Sequence, residues 1–544
     1  MKAIRSILAI SLLYTSACSD GEQDVNLSCA ELAVGKSCSS ANNGGMIYVD
    51  TSVMKSGQEY ILVAKSNEKP GGTENLDHPL TVRSDVGSDS PDSAEAYKIQ
   101  TVIRRQRGSL NFAPAELDEN IRIGRQNVGD RRDFYVPSAW DYVTRLENKI
   151  VPFFVHQPNG RVSGTRKSFT SAASFQDLYE LHFDANLENS NILNMTQNLD
   201  LCLQRVFPPT MAILGRPISV DGNPRVNILI TLFEGALGSR TLGLFSPIDR
   251  FLTNGSARLT DSNYSQNISV SPTQDAGRAC STAAHEYQHL RSFDAKVLSQ
   301  IPENRRSNMA AKKELKLSEE DQGLDEGLAH IFESLTGEVQ RVDEHVYNFF
   351  TQPHLATFAL EGSYSNNLGN SRTRGLNTLF LYFVIKLAGA RLDIGDPSLQ
   401  SILSRIVLSP KIGISNIAEM MGTTERDLMA QFITNLLYSL YDSGTAASFL
   451  PPIESNLTSS GIRVNRGVQI LDRNSSIESL TYIPPSIHPY QFDMKFLSLS
   501  DDNIMPSQGL AFYRFIVPST LPRDSEVSFS TRGKNFSVFV VRVR

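Results

Sequence analysis

The stretch Ala276–Leu298, AGRACSTAAHEYQHLRSFDAKVL, decides how the centre of this chain folds. It is rich in alanine, the best helix former, so the sequence predicts a helix here. Residues four apart lie on one helix face, and His285 and His289 can therefore present two imidazole nitrogens to one metal ion. Glu286 is rotated from His285 by about 100° around the axis. Its carboxylate then lies beside the ion, where it can take a proton from a water molecule that the metal activates.

A catalytic zinc site also needs a third protein ligand and one open position. A third histidine close behind the motif would require Gly at position 292 and His at position 295, but the chain has Ser292 and Ala295. Two other sources stay open: the carboxylate of Glu326 in the run DEGLA, or one of the histidines His330 and His345. Either source places the third ligand outside the motif helix.

The motif and its surroundings resemble a known group of zinc peptidases. HEYQH followed by DEGLA resembles the gluzincin clan, whose third ligand comes from a helix with an N-E-G-x-A-like sequence; Asp325 stands here for the usual Asn. Within about 170–445, the chain resembles the hyicolysin family of that clan in the runs NILITLF, GLFSP, SN, HEYQHL and DEGLA. So does the later helix that contains Gly375, Phe380 and Tyr382.

The resemblance implies a zincin-like metalloprotease domain, in which a mixed sheet and the motif helix are followed by a mainly helical subdomain. The ligand set would be His285, His289 and Glu326, holding one Zn²⁺ ion per chain. Glu286 would be the catalytic base, which accepts the proton of the attacking water and passes it to the leaving amine. The expected function is zinc-dependent hydrolysis of protein substrates by an endopeptidase.

The resemblance also suggests a residue that stabilises the transition state. In related gluzincins, the helix with the N-E-G-x-A-like sequence is followed by another helix, and a Tyr on that next helix often binds the oxyanion. That position falls here near Arg374, just before Gly375, and a guanidinium can do the same electrostatic work. Tyr364 and Tyr382 are the alternatives if the intervening loop folds back.

Residues 151–445 carry the pattern expected of this catalytic domain. The nearly continuous apolar run Arg225–Phe233 predicts a central strand that is buried on both faces. Ser262–Ser271 alternates like a strand nearer the sheet edge, where an extended substrate could add as a further strand. Residues 172–205 have roughly helical spacing. Further predicted elements are a strand at Val151–Val155 and helices at Glu319–Leu335, Leu376–Leu387, 414–421 and 424–441.

The flanking regions predict small β domains. Met46–Val49 and Glu59–Ala64 are strand-like runs within residues 45–150, which we expect to form an N-terminal β-rich region. Pro- and Ser-rich residues 446–461 predict a linker, and the alternating residues 462–544 predict a C-terminal β-sandwich-like domain. The predicted fold class is therefore α+β.

The N-terminus predicts export and lipidation. Residues 1–17 are typical of a signal peptide, because Lys2 and Arg5 precede an apolar run too short to span a bilayer. The small residues before Cys18 resemble a bacterial lipobox, in which this Cys is lipidated, and the polar residues 18–44 predict a tether. We expect a lipid anchor to a membrane of the bacterial cell envelope, at the outer membrane or the cell surface.

Four further cysteines are present, and an even number in an exported chain predicts disulfide bonds. The simplest pairing joins the sequence neighbours Cys29 and Cys38. The other pair, Cys202 and Cys280, would tie a preceding helix to the start of the motif helix.

Composition narrows the partners. A formal charge of −6 gives no general attraction to nucleic acid. A length of 544 residues predicts two or three domains. We expect a monomer that acts on protein or peptide substrates. A second function stays open, in which the same scaffold is a surface adhesin or a lipoprotein that binds host proteins, since the flanking β domains suit binding.

Overall fold

The computed structural model describes residues 25–67, 77–84, 131–139, 163–233, 241–337, 369–441 and 502–543, with short gaps, and segments within 145–150, 345–358 and 454–483. Some predicted features lie outside these residues. They are the signal peptide at 1–17, the lipidation site Cys18, the strand Val151–Val155 and most of the linker at 446–461.

The described elements confirm the α+β class. The helices are α1 (Ser190–Leu214), α2 (Ala276–Lys296), α3 (Ala310–Glu314), α4 (Gln322–Thr336), α5 (Gly369–Leu387), α6 (Pro397–Leu408), α7 (Gly413–Met420) and α8 (Glu425–Tyr441). The strands are β1 (Val25–Ser28), β2 (Ser37–Asn43), β3 (Ile47–Asp50), β4 (Glu59–Ser66), β5 (Asp77–Ser84), β6 (Arg131–Ala139), β7 (Arg145–Leu146), β8 (Lys149–Ile150), β9 (Ser163–Phe175), β10 (Tyr179–Asp184), β11 (Val226–Ile230), β12 (Gly243–Phe245), β13 (Thr253–Asn254), β14 (Ala257–Arg258), β15 (Asn267–Val270), β16 (Glu454–Ser455), β17 (Val464–Asn465), β18 (Val468–Leu471), β19 (Leu480–Ile483), β20 (Asp502–Pro506), β21 (Leu510–Ile516), β22 (Glu526–Ser530) and β23 (Asn535–Arg542).

A mixed six-stranded sheet forms one wall of the central region. Its order is β12-β15-β11-β10-β9-β6; β10, β11 and β15 run parallel, and the other neighbours pair antiparallel. β11 is buried along its whole length, as the run Arg225–Phe233 predicts. β15 lies inside the sheet rather than at its edge, because the three residues of β12 pair with its outer side. The expectation that Ser262–Ser271 supplies the edge strand is therefore wrong, and β12 takes that place.

The region 172–205, predicted as helical, begins with the end of β9 and all of β10. Phe175, Leu178 and Leu181 imitate helical spacing, but all six residues of β10 are buried, as in a strand covered on both faces. The helix α1 begins only at Ser190, where the Asn189 side chain accepts hydrogen bonds from two backbone N–H groups of the first turn. Local periodicity alone could not separate the strand from the helix that follows it.

Helix α2 lies at the centre of the fold, against α1, α4 and the sheet. Asp275 caps its start by accepting a hydrogen bond from a backbone N–H of the first turn. The structure pairs Cys202 of α1 with Cys280 of α2, as predicted, with the two Cα atoms 6.1 Å apart. At the other end, the buried ammonium of Lys296 lies 3.0 Å from Glu320 and donates to three carbonyls, one in the last turn of α6 and two just after it. Both ends of α2 are therefore fixed to neighbouring elements.

Helix α5 covers the apolar run Leu376–Leu387, which the sequence predicts as a buried core helix. Its apolar side chains from Leu376 to Ile385 are buried against the large core around α2, whereas Leu387 at the end of the helix is exposed. No helix among the described residues is long and apolar enough to cross a membrane.

The strands near the two chain ends build one β-sandwich. One sheet has the order β1-β3-β22-β5-β20 and the other β2-β23-β4-β21, so both sheets mix N-terminal with C-terminal strands. This corrects the division into an N-terminal region at 45–150 and a separate C-terminal domain at 462–544. It also shortens the predicted tether at 18–44, because β1 and β2 belong to the sandwich. Cys29 and Cys38 pair there as predicted, with Cα atoms 6.0 Å apart.

The sandwich packs directly on the helical part of the molecule. Strand β4 is buried along its length. Its alternating residues Tyr60, Leu62 and Ala64 face the sandwich interior, whereas Ile61 and Val63 join the core that surrounds α2. The N- and C-terminal strands are therefore part of the same rigid packing as the helices.

Candidate metal centre

The two motif histidines face one another on α2. The Nε2 atoms of His285 and His289 lie 3.0 Å apart, and the rings are 4.7 Å apart between centroids. This arrangement follows from their spacing of four residues, which stacks them one turn apart on the same face. His285 is buried, and His289 is nearly so.

Helix α4 brings Glu326 to the same point. Its Oε2 atom lies 3.4 Å from Nε2 of His285, and its Oε1 atom lies 4.0 Å from Nε2 of His289. The backbone of α4 packs closely on α5 at Gly327, where a Cβ atom would lie only 2.9 Å from Asn377. The absence of a side chain at this position therefore sets the depth at which α4 presents its carboxylate.

These three side chains fit a zinc ion. One ligand atom from each of His285, His289 and Glu326 lies within 4.8 Å of the other two. Zn–N and Zn–O bonds of about 2.0–2.2 Å in a tetrahedron place ligand atoms about 3.3 Å apart. Nε2 of His285 lies 3.0 Å from Nε2 of His289 and 3.4 Å from Oε2 of Glu326, both close to that value, and the other oxygen of Glu326, Oε1, lies 4.0 Å from Nε2 of His289. Two imidazoles and one carboxylate are also a ligand set that zinc commonly takes in catalytic sites.

Each motif histidine has a carboxylate behind it. Nδ1 of His289 is hydrogen-bonded to Oδ2 of Asp325 at 2.7 Å, and Oδ1 of Asp325 accepts a bond from Gln288. Nδ1 of His285 lies 3.0 Å from Oε1 of Glu333. The hydrogen bond at Nδ1 of His289 fixes the tautomer that leaves Nε2 with its lone pair toward the metal, and at His285 the carboxylate of Glu333 acts mainly through its charge. The chain thus orients both rings from behind.

The carboxylates favour a positive charge at this point. Burial alone would lower the pKa of His289, but Asp325 and then Glu326 outweigh it and raise that pKa to about 10. Burial is likewise outweighed at His285, where Glu333 and Glu326 raise the pKa. Burial would raise the pKa of Glu326, whereas Arg374 and both histidines hold it well below its usual range. A buried site with this excess of negative groups stabilises a bound cation.

A second group of possible ligands adjoins the first but is better explained as its support. His285, His330 and Glu333 could also surround an ion. However, Glu333 already uses both oxygens, with Oε1 near His285 and Oε2 2.7 Å from Nδ1 of His330. Burial lowers the pKa of His330 to about 4, so its ring is neutral. His330 therefore holds Glu333 in place.

The other histidine considered as a third ligand lies further away. The ring of His345 packs 4.5 Å from that of His330, and its Nδ1 atom lies 2.8 Å from Oγ of Ser371. Neither His330 nor His345 joins the group formed by the two motif histidines and Glu326. Glu326 is thus the third ligand that the geometry supports.

Glu286 lies between α2 and the edge strand. Its side chain is buried, and it sits directly beneath Gly243 of β12. A Cβ atom on Gly243 would lie 2.5 Å from Oε1 of Glu286. The strand therefore encloses one side of the carboxylate. Glu286 directly follows His285, whose Nε2 atom lies at the centre.

The candidates for oxyanion stabilisation separate clearly. Arg374 projects from α5 into the centre, where one guanidinium nitrogen lies 3.0 Å from Oε1 of Glu326. Tyr382 is fully buried, and its hydroxyl is 2.8 Å from Oγ of Ser334, more than two turns along α4 from Glu326. Tyr364 lies outside the described residues. Arg374 is the one of the two described candidates that reaches the centre.

Two supports were not identified from the motif spacing. Glu333 follows Glu326 by seven residues, which is about 20° short of two full turns and puts both carboxylates on one face of α4. This spacing is visible in the sequence once α4 is accepted as a helix. Gly243 carries no such signal, because its importance depends on the distant residue that lies beneath it.

Comparison with known proteins adds no assignment. No protein-family model matches the chain, and no curated protein matches it. The interpretation of the centre therefore rests on its own geometry, foremost on the convergence of His285, His289 and Glu326.

Proposed function

We propose that this chain is a zinc-dependent endopeptidase with a zincin-like catalytic domain. The observation that carries the proposal is the convergence of His285, His289 and Glu326 from two helices, with a buried carboxylate and an edge strand beside them. When bound, zinc would polarise the scissile carbonyl and make a water molecule a stronger nucleophile. The remaining catalytic work falls to side chains of the chain itself.

Glu286 is placed to move the proton. It follows His285 on α2, and its buried carboxylate points between the helix and β12. In the proposed reaction it accepts a proton from the attacking water and delivers it to the nitrogen of the departing amine. One carboxyl group can do both steps. Accepting the proton makes it the acid that the second step needs, and donating the proton restores the carboxylate that the first step needs.

Arg374 is placed to stabilise negative charge. Its guanidinium reaches Glu326 from the α5 side, so it stands at the border of the ligand set. In the proposed reaction it donates hydrogen bonds to the carbonyl oxygen as that oxygen gains charge. A fixed cation in a buried site stabilises such charge far better than water does.

The edge strand β12 offers a place for an extended substrate. The backbone N–H of Ser271 donates to the carbonyl of Leu242, so Leu242 and Leu244 direct their backbone groups into the sheet. Gly243 and Phe245 then direct theirs outward, where β12 has no neighbour among the described strands. A peptide added there as a strand would pass over Glu286, and this favours cleavage within a chain.

The location is part of the same proposal. Strand β1 begins at Val25, so Cys18 lies only seven residues before the sandwich. Seven extended residues span at most about 25 Å. If Cys18 is lipidated, the sandwich lies close to the membrane and the catalytic centre acts at its surface. A Cys18→Ser variant should leave the membrane fraction, and one that stays there would contradict the anchor.

The test of the catalytic proposal combines metal content with hydrolysis. The purified protein should hold about one zinc ion per chain and cleave casein or members of a broad peptide library. Glu286→Gln should stay folded, keep its zinc and lose hydrolysis, whereas Glu326→Ala should lose the zinc. Glu419→Gln, at an exposed carboxylate on α7, is the matched control and should behave as wild type.

Two results would overturn the proposal. Hydrolysis by Glu286→Gln at the wild-type rate would remove Glu286 from the reaction. A zinc-loaded wild-type protein that cleaves nothing in the library would leave the binding function, as an adhesin or host-protein-binding lipoprotein, in its place.

A further inference from the structure

Gly243 occupies an unusual position above the proposed base. It is the first residue of the edge strand β12, and it pairs with Val270 of β15. A Cβ atom built on it would lie 2.5 Å from Oε1 and 2.9 Å from Cγ of Glu286, and would also meet Cγ2 of Thr282. Cβ atoms essentially never approach other atoms within 3.0 Å, so even alanine does not fit here unless a neighbour moves.

The neighbours differ in how easily they can move. Thr282 is a β-branched residue on a buried helix, and such a side chain has few rotamers available. Strand β12 is held to β15 by its backbone hydrogen bonds, and α2 is fixed at both ends. The carboxylate of Glu286 is the end of a longer side chain with several rotatable bonds. A side chain at position 243 would therefore press on the methyl group of Thr282 and displace the carboxylate of Glu286, which is the more mobile of the two side chains.

We propose that Gly243 is a positioning residue for Glu286: its missing side chain lets the edge strand lie against the carboxylate and holds that carboxylate beside the metal centre. The inference rests on the proposed function and deepens it, because it ties the strand that receives the substrate to the group that moves the proton. Gly243 then places both the backbone of the substrate, through β12, and the proton acceptor, Glu286.

Kinetics of Gly243→Ala test the inference. A displacement of the reacting group by about 1 Å can lower a rate by about 100-fold, so we expect a loss in kcat of that order. KM should stay within about twofold, since binding to the strand backbone is unchanged. Zinc content should stay as in wild type. In a Glu286→Gln background the same substitution should add no further loss, because the displaced group has already lost its function.

Two further variants keep the test decisive. Gly395→Ala makes the same chemical change at an exposed turn with ordinary contacts, and it should leave kcat and KM as in wild type. If Gly243→Ala alone does not fold, Thr282→Ser combined with Gly243→Ala removes the second close contact and keeps the Thr282 hydroxyl that bonds Gln274. An unchanged kcat in either Gly243→Ala protein would overturn the inference, as would equal losses in zinc content and in kcat.

A crystal structure of the zinc-loaded variant gives a readout that does not depend on activity. We expect the Glu286 carboxylate to move by about 1 Å or more, with His285 and His289 in place. If Glu286 moves although wild type hydrolyses no peptide, the proposed function fails and the steric role of Gly243 stands. If wild type hydrolyses peptides and Glu286 stays in place in the variant, the role of Gly243 fails alone.

Discussion

The α2–α4 pair and the β-sandwich both bury many side chains, but the buried side chains differ in their chemistry. The centre of α2 and α4 encloses histidines and carboxylates, including His285, Glu286 and Glu333. The sandwich core packs apolar side chains from both chain ends, such as Ile47 and Val527, and the polar residues buried in that region are uncharged, such as Thr51 and Ser537, or lie at its strand ends, such as Glu59. Burial of charged groups costs free energy unless they are paired, whereas burial of apolar area stabilises.

The difference assigns separate tasks to the two regions. Apolar packing in the sandwich should contribute to the free energy of unfolding and leave the metal chemistry alone. The polar centre should set metal affinity and contribute little to unfolding. Substitutions that change only one of these two quantities sharpen the comparison, and substitutions that change both break it.

Among single substitutions, the largest effect on stability is expected from Phe539→Ala on β23. Phe539 is buried where the sandwich meets the helical core, and Phe→Ala at such sites costs about 3–5 kcal/mol. Denaturant unfolding should show that loss, and zinc content per folded molecule should match wild type. Leu201→Ala removes an apolar side chain that is 58% exposed, so this control should change stability by less than about 0.5 kcal/mol. Loss of zinc at full stability in Phe539→Ala would contradict the division.

Removing each of the two disulfides in turn compares how much each bond contributes to the free energy of unfolding in its region. Replacing Cys202 and Cys280 by Ala opens a loop with a sequence separation of 78, and chain entropy predicts a cost of about 4.5 kcal/mol. The same change at Cys29 and Cys38, with a separation of 9, should cost about 2.5 kcal/mol. Both values are measured by denaturant unfolding of the oxidised proteins. A larger loss at the sandwich pair would show that loop closure does not control these bonds.

The same contrast explains what the sequence could reveal. The motif helix could be predicted because its signals are local: alanines and two histidines one turn apart. The sandwich could not, because β23 pairs with strands from the opposite chain end, such as Ser37 with Val541. A pattern of alternation identifies such strands but does not say which strand pairs with which.

The prediction of the edge strand was wrong for a different reason. β12 has three residues, too few for an alternating pattern to show, whereas Ser262–Ser271 alternates and yet contributes the interior strand β15. At the centre, the ligands followed from the motif and its resemblance. Asp325 and Glu333 acquire their roles from contacts between α2 and α4, which spacing within one helix does not reveal.

For Glu333→Gln we expect a smaller effect, and we expect it on metal affinity rather than on stability. The substitution keeps the shape of the side chain but removes the negative charge behind His285. Loss of a carboxylate behind a metal-binding histidine typically lowers metal affinity by about 10–100-fold. Competition with a chelator measures this affinity, and unfolding of the metal-free protein should change little. Glu314→Gln, at an exposed carboxylate on α3, should leave affinity unchanged; an equal affinity in Glu333→Gln would mean that Glu333 does not support the centre.

The smallest effect is expected from Asp325→Asn, which tests how the centre uses charge and geometry separately. The Asn carbonyl can still accept the hydrogen bond from Nδ1 of His289, so the ring keeps its tautomer and its direction. The gluzincins that the motif resembles carry Asn at this position. The charge is lost together with the acceptor for Gln288, while the acceptor for His289 stays, and we expect zinc affinity to fall by less than about tenfold.

Asp325→Ala is the matched comparison, because it removes the acceptor as well as the charge. Chelator competition should rank zinc affinity as wild type, then Asp325→Asn, then Asp325→Ala. If Asn and Ala weaken zinc binding equally, charge rather than the hydrogen bond holds His289. The two histidines would then depend on their supporting carboxylates in the same way, since Glu333 already meets His285 mainly as a charge.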